Sequence, residues 1–392
     1  MTVEYYDLAQ RLYAARSGQP VLRVAGALFE LSPTAIVAEV ATDAAGTLTA
    51  DIAVANGQPR RVSGDDVLRA LRDAGAGFDD DPAAQPLPQL VITDGGALGL
   101  LAAAARAGRN RPDVAAAAAV VGWWADRTGY PGTGAVVTLM SHSRQRYITG
   151  ALPSAERRSE HWRATFGVAV GIRGMWPWAQ RLARGPLLDM LADASEDDRY
   201  SFTVAANRFA SGADWAAKDR APVAAMGLRR RCDAAELWEA ALRSDRLWRQ
   251  RATHTGHVSG GEVVATTAGT FTVACNRLDT RLRDGSEVTG WQGGLDNYDR
   301  AVRFEGEINK AAVVNGALWL TISRVRADLR PHAGDWASLM PAPPQQSTVR
   351  SRRNRYGRLQ FGTDSWIASG RTPGLTRRDV PLDVLIAAAD DE

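Results

Sequence analysis

Strand-like and helical patterning are segregated along this chain, and that segregation constrains its fold more than any other feature. Apolar alternation suited to strands occupies 21–55 and returns over 262–325, while 151–255 carries mainly helical spacing. This order predicts a mixed α+β and α/β multidomain protein. Its parts would be an N-terminal α+β unit with a β-meander, a central helical region, and a small C-terminal antiparallel barrel or sandwich. A chain of 392 residues exceeds one ordinary core. The expected divisions are 1–150, 151–255, 256–330 and a Pro/Arg-rich tail, 331–392.

Local signals fill in this outline. Tyr5, Leu8, Ala9, Leu12 and Tyr13 recur at helical spacing and make the N-terminus an amphipathic helix. Strands are expected at 21–30, 35–41 and 47–55, followed by a turn at Asn56-Gly57. Ser63 then caps a short helix carrying Val67, Leu68 and Leu71. The aspartate- and proline-rich stretch 78–88 is a linker or exposed loop. Beyond it, 90–93 is a buried strand, 95–106 an alanine-rich helix, 114–124 an apolar segment of either type, and 135–140 and 146–149 are strands. A helix is expected over 233–251, capped by Asp233. Five strands at 262–267, 270–278, 287–291, 301–307 and 317–325 suit a small β fold, the OB type among them.

Several classes are excluded. The 114–124 run is about half the roughly 20 residues a membrane-spanning helix needs, and the N-terminus lacks the basic start and apolar core of a signal peptide. Two cysteines, Cys232 and Cys275, do not make a disulfide scaffold, and two buried free thiols are expected. These features together predict a cytoplasmic protein with no membrane partner.

Cationic chemistry is the one concentrated signal. Lysine occurs only at Lys218 and Lys310, so nearly all of the 47 basic residues are arginine, while net charge is only +3. Abundant arginine beside alanine and glycine reflects codon bias, so distribution along the chain has to carry the reading. Between Ala342 and Arg378 eight arginines face Asp364 alone, a net +7 that leaves the rest of the chain mildly anionic. Arg350, Arg352, Arg353, Arg355 and Arg358 are candidate phosphate contacts, with Tyr356 and Phe361 as stacking platforms for bases. Arg157, Arg158 and Arg163 begin a second basic stretch that runs to Arg184 among Trp162, Trp176 and Trp178. Arg229, Arg230 and Arg231 form a third.

Catalytic signals are weak. Thr93 to Gly99 follows a strand and opens a helix, as a dinucleotide loop does, but Asp94 stands where a glycine is required and would repel a pyrophosphate. Asp113 lies at a suitable distance onward for a ribose contact. His254 and His257 with Cys232 and Cys275 lack the short paired spacings of a zinc site. Ser141-His142-Ser143 lacks a nucleophile elbow, and Asp296, Asp299 and Glu305 read as turn residues. No catalytic residue, cofactor or metal is assigned. The expected function is non-catalytic binding of DNA or RNA, as a homo-oligomer or a subunit of a nucleoprotein assembly or replication machinery. The alternatives are an α/β enzyme holding a nucleotide near Asp94–Gly99, or a structural subunit of a particle or filament.

Overall fold

The computed structural model describes residues 2–78 and 85–345. Met1–Ala217 together with Asp233–Pro344 make one compact unit, and Lys218–Cys232 with Gln345–Glu392 make a second. Residues 346–392, which carry the arginine-rich segment, lie outside the described residues.

The larger unit opens with α1 (Val3–Ser17) and β1 (Val21–Leu22). Next come β2 (Ile36–Thr42), β3 (Leu48–Val54), β4 (Arg60–Ser63) and α2 (Asp66–Asp73). The elements β5 (Leu90–Ile92), α3 (Gly95–Gly108), α4 (Ala115–Arg127), β6 (Val136–Thr138), α5 (Leu139–Arg146) and β7 (Tyr147–Ile148) follow. Five strands form a mixed sheet of order β4-β3-β2-β5-β6, parallel across β2, β5 and β6 and antiparallel at its meander edge. β1 and β7 pair separately.

Strand alternation sorts two cores. Ile36, Leu90, Ile92 and Val136 face Val67, Leu71, Leu101 and Trp124 of α2, α3 and α4. The intervening Val37, Val91 and Val137 face the opposite way, onto Trp162 and Phe166 of α6 (Ser159–Phe166) and Trp178 of α7 (Met175–Leu182). Helices cover both faces, so the stretches Ile36–Ala38, Leu90–Ile92 and Val136–Val137, where the parallel strands pair, are apolar at every position. Of the tryptophans in the 157–184 stretch, Trp162 and Trp178 are fully buried core residues, and Trp176 packs half-buried against the same cluster.

Three further helices follow: α8 (Leu191–Ala210), α9 (Ala221–Ser244) and α10 (Arg246–His254). The expected helix over 233–251 is thus two helices. Asp233 lies buried inside α9 instead of capping it, and the capping aspartate is Asp245. Its Oδ1 accepts the N–H groups of Leu247 and Trp248, and its Oδ2 accepts those of Ala25 and Gly26 at 2.9 and 3.0 Å.

The C-terminal sheet is antiparallel, with β8 (Ser259–Thr266), β9 (Thr270–Cys275), β10 (Glu287–Gln292), β11 (Arg303–Val314), β12 (Ala317–Ser323) and β13 (Trp336–Pro341). Pairing runs β10-β11-β12-β9-β8-β13 and returns to β10, which closes the sheet. Bulges in β8 and β11 assist the curvature. Phe271, Val273, Ile308, Leu320, Ile322 and Leu339 fill the interior.

The mixed α+β character and the antiparallel C-terminal sheet agree with the sequence reading; several local expectations do not. Residues 139–146 form a helix, only Val21 and Leu22 of 21–30 pair as a strand, and a sixth strand, β13, completes the last sheet. Cysteines 232 and 275 are both free, but Cys232 is exposed and only Cys275 is buried. The N-terminal helix forms, yet its Tyr5, Leu8, Ala9, Leu12 and Tyr13 face outward. Its inward side is held by polar contacts. Arg11 pairs with Glu156 at 2.8 Å, and Asp7 accepts Arg23 and Arg251. The α1 backbone also passes so close to Gly150 that a Cβ there would meet Ala15 Cα at 2.4 Å.

Candidate functional site

A groove of about 540 Å³ opens on the closed sheet, between the end of β10, the start of β11, the 3-10 turn Ala327–Leu329 and the start of β13. Phe304, Leu329 and Ala301 give it an apolar lining, while Gln292, Asn297, Arg330, His332 and Trp336 supply its polar and aromatic groups. A volume of this size suits a nucleotide-sized ligand.

Local chemistry builds the groove. Trp336 begins β13 and leaves 42% of its surface exposed, unlike the buried Trp291 on the neighbouring strand. Its carbonyl accepts Gly293 N at 2.6 Å, and Ser338 Oγ donates to Gly293 O, which locks the edges of β10 and β13 together. Gly293 has φ +96°, and a Cβ there would meet Asn297 Nδ2 at 2.1 Å. Only glycine turns the chain here and admits Asn297 to the wall. Asp335 accepts the Gln292 amide at 2.5 Å and the His332 backbone N–H at 2.7 Å, so one carboxylate fixes two sides of the opening.

Charge in the groove is lopsided. Arg330 donates from Nε to Val325 O at 3.0 Å and from its terminal nitrogen to Ala268 O, and pairs with no carboxylate among the described residues. The lining carboxylate, Asp328, is taken up by Arg326 at 2.7 Å. An exposed indole, two amides and a cation without a carboxylate can stack a flat ring, read its polar edge and meet an adjoining anion.

The residues singled out in the sequence divide. Arg157 and Arg158 are exposed, as are Arg173 and Arg184 further along, and none of the four makes an ion pair with a carboxylate among the described residues. Arg163 is a correction: it is 5% exposed, bonded to Glu39 at 2.9 Å and to the carbonyls of Ala169 and Gly171. A guanidinium so engaged holds the fold together and is closed to phosphate. Arg229, Arg230 and Arg231 lie half-buried on α9, in the second unit. Arg350, Arg352, Arg353, Arg355, Tyr356, Arg358 and Phe361 fall outside the described residues.

The other candidates have structural occupations. Asp94 caps α3, its Oδ1 accepting Ala97 N at 3.0 Å. Its negative charge fills the helix N-terminus that a phosphate would need. Asp113 is held by Arg69 and Arg111. His254 stacks on Tyr6 at 4.8 Å, and His257 bonds Thr255. His142 pairs its Nδ1 with Thr138 O, and burial pushes it below the usual histidine range. No group of three or more His, Cys, Asp or Glu side chains suited to a metal gathers among the described residues.

Gln292, Asn297, Arg330, His332 and Trp336 were not found from sequence. The usable signal is Trp336 opening the largely apolar stretch Trp336, Ala337, Leu339 and Met340 after Gly334-Asp335, directly before Pro341. No helix among the described residues is long and apolar enough to cross a membrane. No family model, curated protein or solved structure matches the chain, so its chemistry is read from its own residues.

Proposed function

We propose that this is a nucleic-acid-binding protein without a catalytic centre of its own, in which the groove takes an unpaired base and arginines hold the phosphates. The observation that carries the reading is the groove: exposed Trp336 beside Gln292, Asn297 and a carboxylate-free Arg330. Stacking on tryptophan is tolerant of base identity, and amides offer both donor and acceptor to base edges. The exposed Arg157, Arg158, Arg173 and Arg184, with the +7 segment from Ala342 to Arg378, supply the polyanion-seeking charge. The finer notion of an OB-like module belongs to the same proposal, because such small barrels bind oligonucleotides on one face.

Fluorescence polarisation with a labelled single strand and its duplex tests this. Binding of the single strand, tighter than of the duplex, is expected. Absence of binding to either at low salt would remove the proposal.

A further inference from the structure

We infer that two copies of this chain associate through α1, paired antiparallel across a two-fold axis. This inference is independent of the nucleic-acid reading.

The starting point is an inverted helix. Its outward face carries Tyr5, Leu8, Leu12 and Tyr13, exposed by 65%, 48%, 52% and 67%, with the small Ala9 between them. Isolated apolar residues on a surface need no account, but a stripe at i, i+3, i+7 and i+8 on one helix is a contiguous apolar face.

Charge on the helix identifies what covers it. Of the four charged residues of α1, Asp7 and Arg11 are turned inward and paired. The remaining two, Glu4 near the first turn and Arg16 in the last, are exposed and have no ion-pair partner among the described residues. An antiparallel copy that sets Leu8 against Leu12 also sets Glu4 against Arg16, in the same register and at both ends. Such self-complementarity is what an isologous two-fold contact requires. A parallel copy would instead set like charges together. Ala9, near the middle of the helix, lets the two backbones approach.

The test is sedimentation equilibrium of the full, nuclease-treated chain across a concentration series. Wild type should rise from 42.1 kDa toward twice that mass. Leu8→Glu and Leu12→Glu alter exposed positions only, so they should keep the far-UV circular dichroism of wild type and remain monomeric. Glu4→Arg should raise the dimer dissociation constant several-fold, and adding Arg16→Glu should restore it. A wild type that stays monomeric at about 100 µM overturns the inference, whether the face is then found on lipid vesicles or covered by the same chain's tail. A dimer indifferent to both leucine variants overturns it equally.

Discussion

Arg127 and Asp198 meet at 2.6 Å with side chains only 3% and 1% exposed, joining α4 to α8. Asp198 also accepts Thr133 Oγ1 and the backbone N–H groups of Gly134 and Ala135, where β6 begins. One carboxylate thus secures the helical layer to the amino end of the sheet's edge strand β6. Removing it leaves the Arg127 Nε and the Gly134 N–H without their acceptor, while Asp197 still pairs with the guanidinium at 3.1 Å. Asp198→Ala should therefore destabilise the fold by about 1–3 kcal/mol, read as a shift in the urea midpoint. A loss below about 1 kcal/mol would contradict this role.

Docking of α1 should depend on pH through Glu156. Burial pushes its carboxyl up, but the bonds from Arg11 and Thr149 outweigh burial and hold it below the ordinary value of 4.5. A depressed carboxylate contributes stability above its unfolded pKa and loses it as pH falls through the folded one. The stability gap between wild type and Glu156→Gln should be constant at neutral pH and close below about pH 4.5. Thermal melts from pH 7 to 3 measure it. A gap unchanged at pH 3 would refute the assignment.

The two thiols should react at different rates. Cys232 is exposed, whereas Cys275 points into the closed sheet and burial pushes its thiol up. One equivalent should react with a disulfide reagent in native buffer at pH 8, and the second only on unfolding. Two fast equivalents would mean that the sheet is open.

How much of this was legible depends on where each signal came from. Leu90-Val91-Ile92 and the helix after Gly95 were readable because a strand buried on both faces is apolar at every position. Asp233 and Asp245 offer the same local capping chemistry, and only the tertiary bonds of Asp245 to Ala25 and Gly26 distinguish the true helix start. Residues 139–146 resembled the end of one strand and the start of another because the helix between β6 and β7 is only two turns long. Periodicity identified the α1 stripe but not its direction, which is set by long-range partners such as Glu156. The groove gathers Gln292, Asn297, Arg330 and Trp336 from four segments that only sheet closure brings together, so no local motif announces it.

Within the groove, Trp336→Ala should weaken single-strand binding by about 1–3 kcal/mol, with Trp336→Phe retaining most of it. Polarisation at fixed salt reads the change, and an unchanged melting temperature confirms that the fold is kept. Equal affinity for wild type and the alanine variant would remove the groove from the interface.

The most direct test of nucleic-acid binding is its salt dependence. Wild type should show a log–log slope of about −4 to −5 if some six phosphates are neutralised. Replacing Arg350, Arg352, Arg353, Arg355 and Arg358 with alanine should bring that slope most of the way to zero. Binding whose slope is the same in that variant, or no binding at 50 mM salt, would contradict the assignment of this chain to a polyanionic partner.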